Sequence, residues 1–305
     1  MHASGKLLLT GEYFVLDGAL ALAIPVRFGQ QMHIEPIAAK SELHWRSKNE
    51  KEEEWFSGTW QCQDDQVVLS KASDKAVAER LQQLFTAVLA QDETALHTLW
   101  GTRLTTQVDF PREWGLGTSS TLISLLAQQT HTDPYQLLAD TFGGSGYDIA
   151  CATATGPILY QRLGGTEVTI QQANWKPAYQ QHIYFAYQGQ KQNSREGIRH
   201  YRELGGTQPT LLDQVTELTQ AFLQANTLQT AQDILHQHED FISEILQMER
   251  VQTQRFADFP GLIKSLGAWG RDLVMVLSDR PETQVRQYFT ARGCPVVFSF
   301  AEMVR

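Results

Sequence analysis

Apolar positions along the first half of the chain recur at two different spacings. Lys6–Thr10 is a short apolar run closed by Gly11-Glu12, and Leu20–Pro25 is a second. Phe28–Glu35 alternates apolar with polar residues, as a strand with one wet face does. The segment 43–60, LHWRSKNEKEEEWFSGTW, reads as two strands around a charged, solvated turn, with Trp45, Trp55 and Trp60 packing across the hairpin. From Asp74 to Leu89 the period becomes helical, and Val77, Leu81, Leu84, Phe85 and Val88 fall on one face. Thr98–Phe110 alternates again and predicts a strand. Thr118–Gln129 and Pro134–Thr141 predict helices, the second with proline in its first turn. Glycines 143, 144 and 146 end that helix, and Gly156-Pro157 leads to a strand over Ile158–Gln161.

Trp175–Gln181 reads as a linker, which divides the chain into domains 1–175 and 181–305. The second domain opens on a strand, His182–Tyr187, followed by the polar segment Gln188–Glu196. Two long helices follow, near Thr210–Leu223 and Thr227–Arg250, their glutamines interleaved with Leu, Ile and Phe at helical spacing. A short helix is expected after Phe259-Pro260, toward Leu266. Then come strand Leu273–Leu277, helix Pro281–Ala291 and strand Pro295–Phe300. This is an α+β order with no repeated βαβ unit, so a parallel dinucleotide-binding sheet is not expected.

Composition narrows the partners. The 305 residues carry 25 Lys plus Arg against 34 Asp plus Glu, a formal charge of −9, which argues against nonspecific binding to nucleic acid or anionic membranes. Cys62, Cys151 and Cys294 form neither a CxxC pair nor a disulfide framework, so a reducing cytoplasm is the expected compartment. No apolar run approaches membrane-spanning length, and the first residues resemble neither a signal nor a transit peptide. The histidines do not cluster at metal spacing. His236 and His238 point to different sides of a predicted helix and read as structural or surface residues.

The stretch Pro111–Thr121, PREWGLGTSST, joins an expected strand to an expected helix. Gly115 and Gly117 permit a close approach of backbone to ligand, and Thr118, Ser119 and Ser120 open the helix where free N–H groups favour an anion. Two readings fit these residues: a phosphate cradle, or an ordinary corner with a Ser/Thr N-cap. Asp148, held by glycines beside apolar Ile149, Ala150 and Cys151, reads either as a catalytic carboxylate or as a turn former. In Gln188–Glu196, Lys191, Ser194 and Arg195 could take an acceptor's carboxylate or phosphate, or form a charged connecting loop.

Three ordered segments resemble the motifs of the GHMP kinase superfamily. Pro111 with Gly115-Leu116-Gly117-Thr118-Ser119-Ser120 is similar to P-x-x-x-G-L-G-S-S-A, and Gly5-Lys6 through Gly11-Glu12 to P-G-K-x-x-L-x-G-E. Ser145-Gly146-Tyr147-Asp148-Ile149-Ala150 is similar to S-G-x-D-x-A, and Gly146–Ala150, GYDIA, looks like the hallmark of a bacterial subgroup. The likeness is strongest to the mevalonate and phosphomevalonate kinase branch. It implies an N-terminal domain like ribosomal protein S5 domain 2 and a ferredoxin-like C-terminal domain. It also implies ATP and Mg²⁺ as cofactors, a small-molecule partner, and an assembly that could be a homodimer. By the same resemblance Gly115–Ser120 would hold the nucleotide, Ser119 would reach Mg²⁺, Asp148 would orient or deprotonate the acceptor hydroxyl, and Lys6 would stand close to the transferred phosphate. Glu12 and Tyr13 would face the substrate, and Glu-Tyr in place of Glu-His points to an already phosphorylated one.

The implied reaction is γ-phosphoryl transfer from ATP to 5-phosphomevalonate or mevalonate. A sugar kinase, diphosphomevalonate decarboxylase and a non-catalytic nucleotide- or metabolite-binding protein are the alternatives. Two departures bear on the choice. Lys264–Asp272 replaces small residues of the third family motif with Trp269 and Arg271. Leu137 stands where mevalonate kinases carry a Mg²⁺-binding glutamate, with Asp140 one turn away.

Overall fold

The alternating run Phe28–Glu35 is the second half of a longer strand. In the computed structural model, which describes residues 1–63, 66–190, 194–205, 208–269 and 272–305, strands β1 (His2–Thr10) and β2 (Ala21–Pro36) each pass through both of two compact units. The first unit comprises Met1–Gly5, Phe28–Arg112 and Leu116–Thr153; the second comprises Lys6–Arg27, Glu113–Gly115 and Ala154–Arg305.

In the first unit the predicted hairpin is present as β3 (Glu42–Lys48) and β4 (Glu54–Gln63), and Asn49 Oδ1 closes its turn by accepting from the Lys51 and Glu53 N–H groups. A further strand, β5 (Gln66–Ala72), was not predicted because QVVLSKA does not alternate. Helix α1 (Lys75–Gln91) begins at Asp74, whose carboxylate accepts from the Val77 N–H at 3.1 Å. Strand β6 (Thr102–Val108) pairs antiparallel with β2 and parallel with β3, giving the order β5-β4-β3-β6-β2. Helices α2 (Thr118–Thr130), α3 (Pro134–Thr141) and α4 (Tyr147–Thr153) complete the unit.

The three tryptophans of the hairpin belong to one apolar cluster, with Trp45 and Trp60 buried and Trp55 at its edge. Trp45 and Trp60 close on Phe85 of α1, with ring centroids 5.9 and 5.3 Å away, because both point to the core face that α1 covers.

In the second unit the hairpin β7 (Ile158–Gly164) and β8 (Glu167–Gln172) pairs with Ala21–Ala23 of β2. There follow β9 (Ile183–Tyr187), α5 (Ser194–Glu203), α6 (Pro209–Gln224), α7 (Leu228–Leu246), α8 (Val251–Arg255), β10 (Leu262–Ser265), β11 (Leu273–Leu277), α9 (Glu282–Ala291), β12 (Val296–Ser299) and α10 (Phe300–Met303). The sheet order β10-β11-β9-β12, all antiparallel, with helices between β9 and β10 and between β11 and β12, is the ferredoxin-like arrangement.

The segment before Leu266 is a strand and not the expected helix. Leu262–Ser265 is buried along its whole length against β11, and a short apolar run carries no periodicity that separates the two forms. The long helix ends early, at Gln247 in the left-handed region, before α8 starts. Trp175 of the expected linker is buried, its ring 5.7 Å from Phe222 and 5.6 Å from Phe300.

Candidate active site

Gly117, with φ +97°, is the N-cap of α2, and no side chain caps that helix. The Ser/Thr-capped corner is therefore not what forms here. Ser120 Oγ and Thr121 Oγ1 turn back to the Gly117 carbonyl at 2.8 and 3.1 Å, while Ser119 is exposed. Leu116 is fully buried and anchors the loop from below. The result is a helix whose first N–H groups face outward beside Thr118 and Ser119, at the positive end of the dipole.

A cavity of about 350 Å³ in the first unit opens onto Thr118, Ser119 and Leu122. Its far walls are Trp45, Trp55 and Phe142, and Lys48, Arg80 and Arg112 bring positive charge to it. The Arg112 guanidinium lies 3.8 Å from the Trp55 ring centroid, a planar cation stacked on a planar ring. Apolar aromatic walls with cations at a helix N-terminus suit a ligand that is flat at one end and anionic at the other.

Asp148 occupies the first turn of α4, half-buried, after Gly144 and Gly146 with φ +118° and +88°. Burial, and next the charge of nearby Asp148, push the Tyr135 phenol up. Helices α2 and α4 pack together, so Ser119 and Asp148 belong to one rigid pair of elements. Leu137 is fully buried in the apolar core of this unit, and Asp140 is exposed and accepts from Gln136 Nε2 at 2.8 Å.

In the second unit, Lys6 Nζ donates to the Gly115 carbonyl at 3.1 Å. The Asp272 carboxylate packs against the same glycine: a Cβ on Gly115, where φ is +70°, would stand 3.0 Å from Asp272 Oδ2. Asp272, the last residue of the third motif, was not singled out from sequence. Tyr13, itself at φ +63°, donates through its hydroxyl to the Ala268 carbonyl at 2.7 Å. Helix α5, which starts at Ser194 and carries Arg195 exposed, approaches the same hydroxyl at Gly197. Trp269 does not project as a ligand-facing residue. It is 4% exposed and packs with Tyr13, Phe14 and Tyr201. Lys191, Gly270 and Arg271 lie outside the described residues.

Glu12 is fully buried, and so are His238, Glu239 and Lys264 around it. Lys264 Nζ donates to Glu12 Oε1 and to the Ser265 carbonyl, and stands 3.6 Å from Glu239 Oε1. Glu239 Oε2 accepts from the Ser265 N–H at 3.2 Å. The Gly11 N–H donates to His238 Nε2 at 3.2 Å, which leaves the ring proton on Nδ1. Burial outweighs the Lys264 attraction and raises Glu12, and it pushes Glu239 up to about 7 with help from the Glu12 charge. Burial and Lys264 together hold His238 well below its usual range, so the imidazole is neutral. Glu12 and Lys264 each stand in a motif of the sequence, but nothing local joins them to His238 and Glu239, because the members stand at 12, 238, 239 and 264.

No family profile and no curated protein matches the chain. Solved structures do. Streptococcus pneumoniae phosphomevalonate kinase in complex with phosphomevalonate and AMPPNP superposes with a TM-score of 0.69 at 16% identity, over 97% of this chain and 98% of that one. L. major mevalonate kinase in complex with R-mevalonate gives 0.66 at 17% identity, over 97% and 93%. This protein has the GHMP kinase fold. The Lactococcus lactis galactokinase complexed with galactose shares it, with a TM-score of 0.64 at 11% identity over 96% and 88%. A fold common to such different phosphate acceptors leaves the chemistry to the site.

Proposed function

We propose that the protein is an ATP-dependent phosphotransferase that moves the γ-phosphoryl group to a small carboxylated alcohol or to its phosphate. The observation that carries this reading is the cavity running onto Thr118 and Ser119 at the glycine-opened start of α2. Its aromatic walls suit a nucleobase, and Lys48, Arg80 and Arg112, with the loop N–H groups, suit the phosphates. The fold's nucleotide therefore fits the residues present. Mg²⁺ needs only one or two protein oxygens beside phosphates and water; the exposed Ser119 hydroxyl would be one, while Leu137, sealed in the core, offers none. When bound, that ion neutralises charge on the phosphate oxygens.

Asp148 aligns the attacking oxygen and takes its proton where the acceptor is a hydroxyl, and Lys6 stabilises the charge that develops on transfer. Tyr13, with Lys191, Ser194 and Arg195, holds the acceptor's anionic end, and Glu12 supports Tyr13 from the buried side. The working domains are 1–175 for the nucleotide and 181–305 for the acceptor, and the proposed compartment is the cytoplasm. The preferred acceptor is 5-phosphomevalonate, then mevalonate, supported by Tyr13 after Glu12. Mevalonate, 5-phosphomevalonate, homoserine and sugars should be screened with coupled ADP detection and mass spectrometry of the products. ADP with a new phosphoester on an alcohol, or a new phosphoanhydride on 5-phosphomevalonate, is expected; ADP with CO₂ would identify a decarboxylase. The buried Leu137 favours one rival reading, a nucleotide-binding protein without turnover, which predicts nucleotide binding but no acceptor-dependent ADP.

A further inference from the structure

We propose that Glu12 and Lys264, with Glu239, are positioning residues for the transfer reaction, a sealed charge cluster that sets how residues 265–269 are held against Tyr13. The inference rests on the phosphotransferase reading, and it starts from an energetic oddity. A buried ion pair contributes little net stability, because desolvation of both charges offsets their attraction, and apolar residues of the same volume do as well. Here the pair has no solvent exposure at all, and three polar atoms around it, Glu12 Oε2, His238 Nδ1 and Glu239 Oε1, have no hydrogen-bond partner. What such a cluster supplies is a single geometry.

The segments it joins need one. Glu12 lies between Gly11, at φ +88°, and Tyr13, at φ +63°. Lys264 leads into Gly267 and Trp269, at φ +63° and +53°. Tyr13 and Trp269 are bulky residues in the left-handed region, a conformation that persists only where the surroundings hold it. The two segments are tied to each other by the Tyr13 hydroxyl on the Ala268 carbonyl. At its start the second segment is held on both sides of Ser265, its N–H by Glu239 and its carbonyl by Lys264. Nearby, the Gln188 N–H holds the Asp272 carbonyl at 2.8 Å, and the Asp272 carboxylate rests on Gly115, whose carbonyl Lys6 grips. A shift at Lys264 is thus carried through Ser265 to Ala268 and from there to the Tyr13 hydroxyl.

The charge state of the cluster belongs to this device. The groups facing Glu239 are Lys264 from β10 and Glu12 from the turn after β1, with His238 beside it on α7. Ionising Glu239 strengthens its hold on the Ser265 N–H and gives Lys264 a second carboxylate to serve.

The test compares Glu12→Gln, Lys264→Met, the double variant of these two, and Glu239→Gln in the full chain. Each is measured for kcat, for nucleotide and acceptor KM, for melting temperature and for kcat against pH. Glu12→Gln should lower kcat by about tenfold or more, with nucleotide KM moving less than about twofold. The double variant removes both charges and should regain melting temperature while kcat stays low. Glu239→Gln should erase an inflection of kcat near pH 7. Recovery of kcat together with melting temperature in the double variant would overturn the proposal, and so would an unchanged pH profile in Glu239→Gln. If the wild-type chain turns over no acceptor, the functional reading fails separately. The cluster is then read through Trp269 emission, isolated by subtracting Trp269→Phe spectra. A red shift and greater iodide quenching in the folded double variant support the clamp, and a native-like emission overturns it.

Discussion

Lys6 and Gly115, 109 residues apart, meet through a 3.1 Å hydrogen bond from Nζ to the glycine carbonyl. The lysine thereby holds the backbone of the glycine loop at the residue that Asp272 abuts from another side. Lys6→Met should lose that hold along with its charge, and turnover should fall by roughly 10²-fold. Asp148→Asn, which keeps shape and removes charge, should fall as far while ATP binding persists. If the two serve one step, the double variant is less than multiplicatively worse, as steady-state kinetics on the four proteins will show. Near-full turnover in Asp148→Asn would make that residue a turn former.

Ser119 caps nothing, so its removal separates function from folding. Ser119→Ala should leave stability within about 0.5 kcal/mol, as for an exposed position, while turnover drops and recovers at high Mg²⁺. Parallel denaturation and Mg²⁺-titration curves check both halves. A lowered melting temperature with normal kinetics would reverse the assignment.

Gly197 leaves room for the Tyr13 hydroxyl: a Cβ there would stand 2.3 Å from it. Gly197→Ala should therefore push the hydroxyl off the Ala268 carbonyl and raise acceptor KM. Tyr13→Phe alone should lose about 1 kcal/mol, the worth of one hydrogen bond. Combined, the two changes should destabilise less than their sum, since the missing hydroxyl no longer clashes. Urea midpoints of the single and double variants test the coupling, and simple additivity would show that the close approach has no consequence.

Burial lifts Glu239 from the usual 4.5 to about 7 in the folded chain. Below pH 4.5 the group is protonated whether folded or unfolded and has no effect. As pH rises from 4.5 to 7 the unfolded chain releases the proton first, so stability is lost across that window, by roughly 3 kcal/mol. Glu239→Gln should flatten the wild-type decline, which denaturant midpoints from pH 4.5 to 8 will reveal. Curves that stay parallel would mean that Glu239 does not titrate in this window.

The choice between acceptors is testable side by side. Tyr13 after Glu12 supports higher kcat/KM on 5-phosphomevalonate than on mevalonate. Activity on mevalonate alone would reverse the order.

Much of this protein was legible before any coordinates. The helical spacing of Val77 through Val88 and the proline at the start of Pro134–Thr141 each determine their element, because periodicity and first-turn preferences act over a few residues. The glycines at 115 and 117 announced a backbone open to a ligand, and both adopt positive φ. Other features were decided only in three dimensions. LIKS became a strand because β11 lay beside it, and Trp269 entered the core because Tyr13, Phe14 and Tyr201 made room for it. The cluster of Glu12, His238, Glu239 and Lys264 has no local signature: what makes those residues unusual is the absence of water around them, and burial is a property of the packed chain, not of any stretch of it.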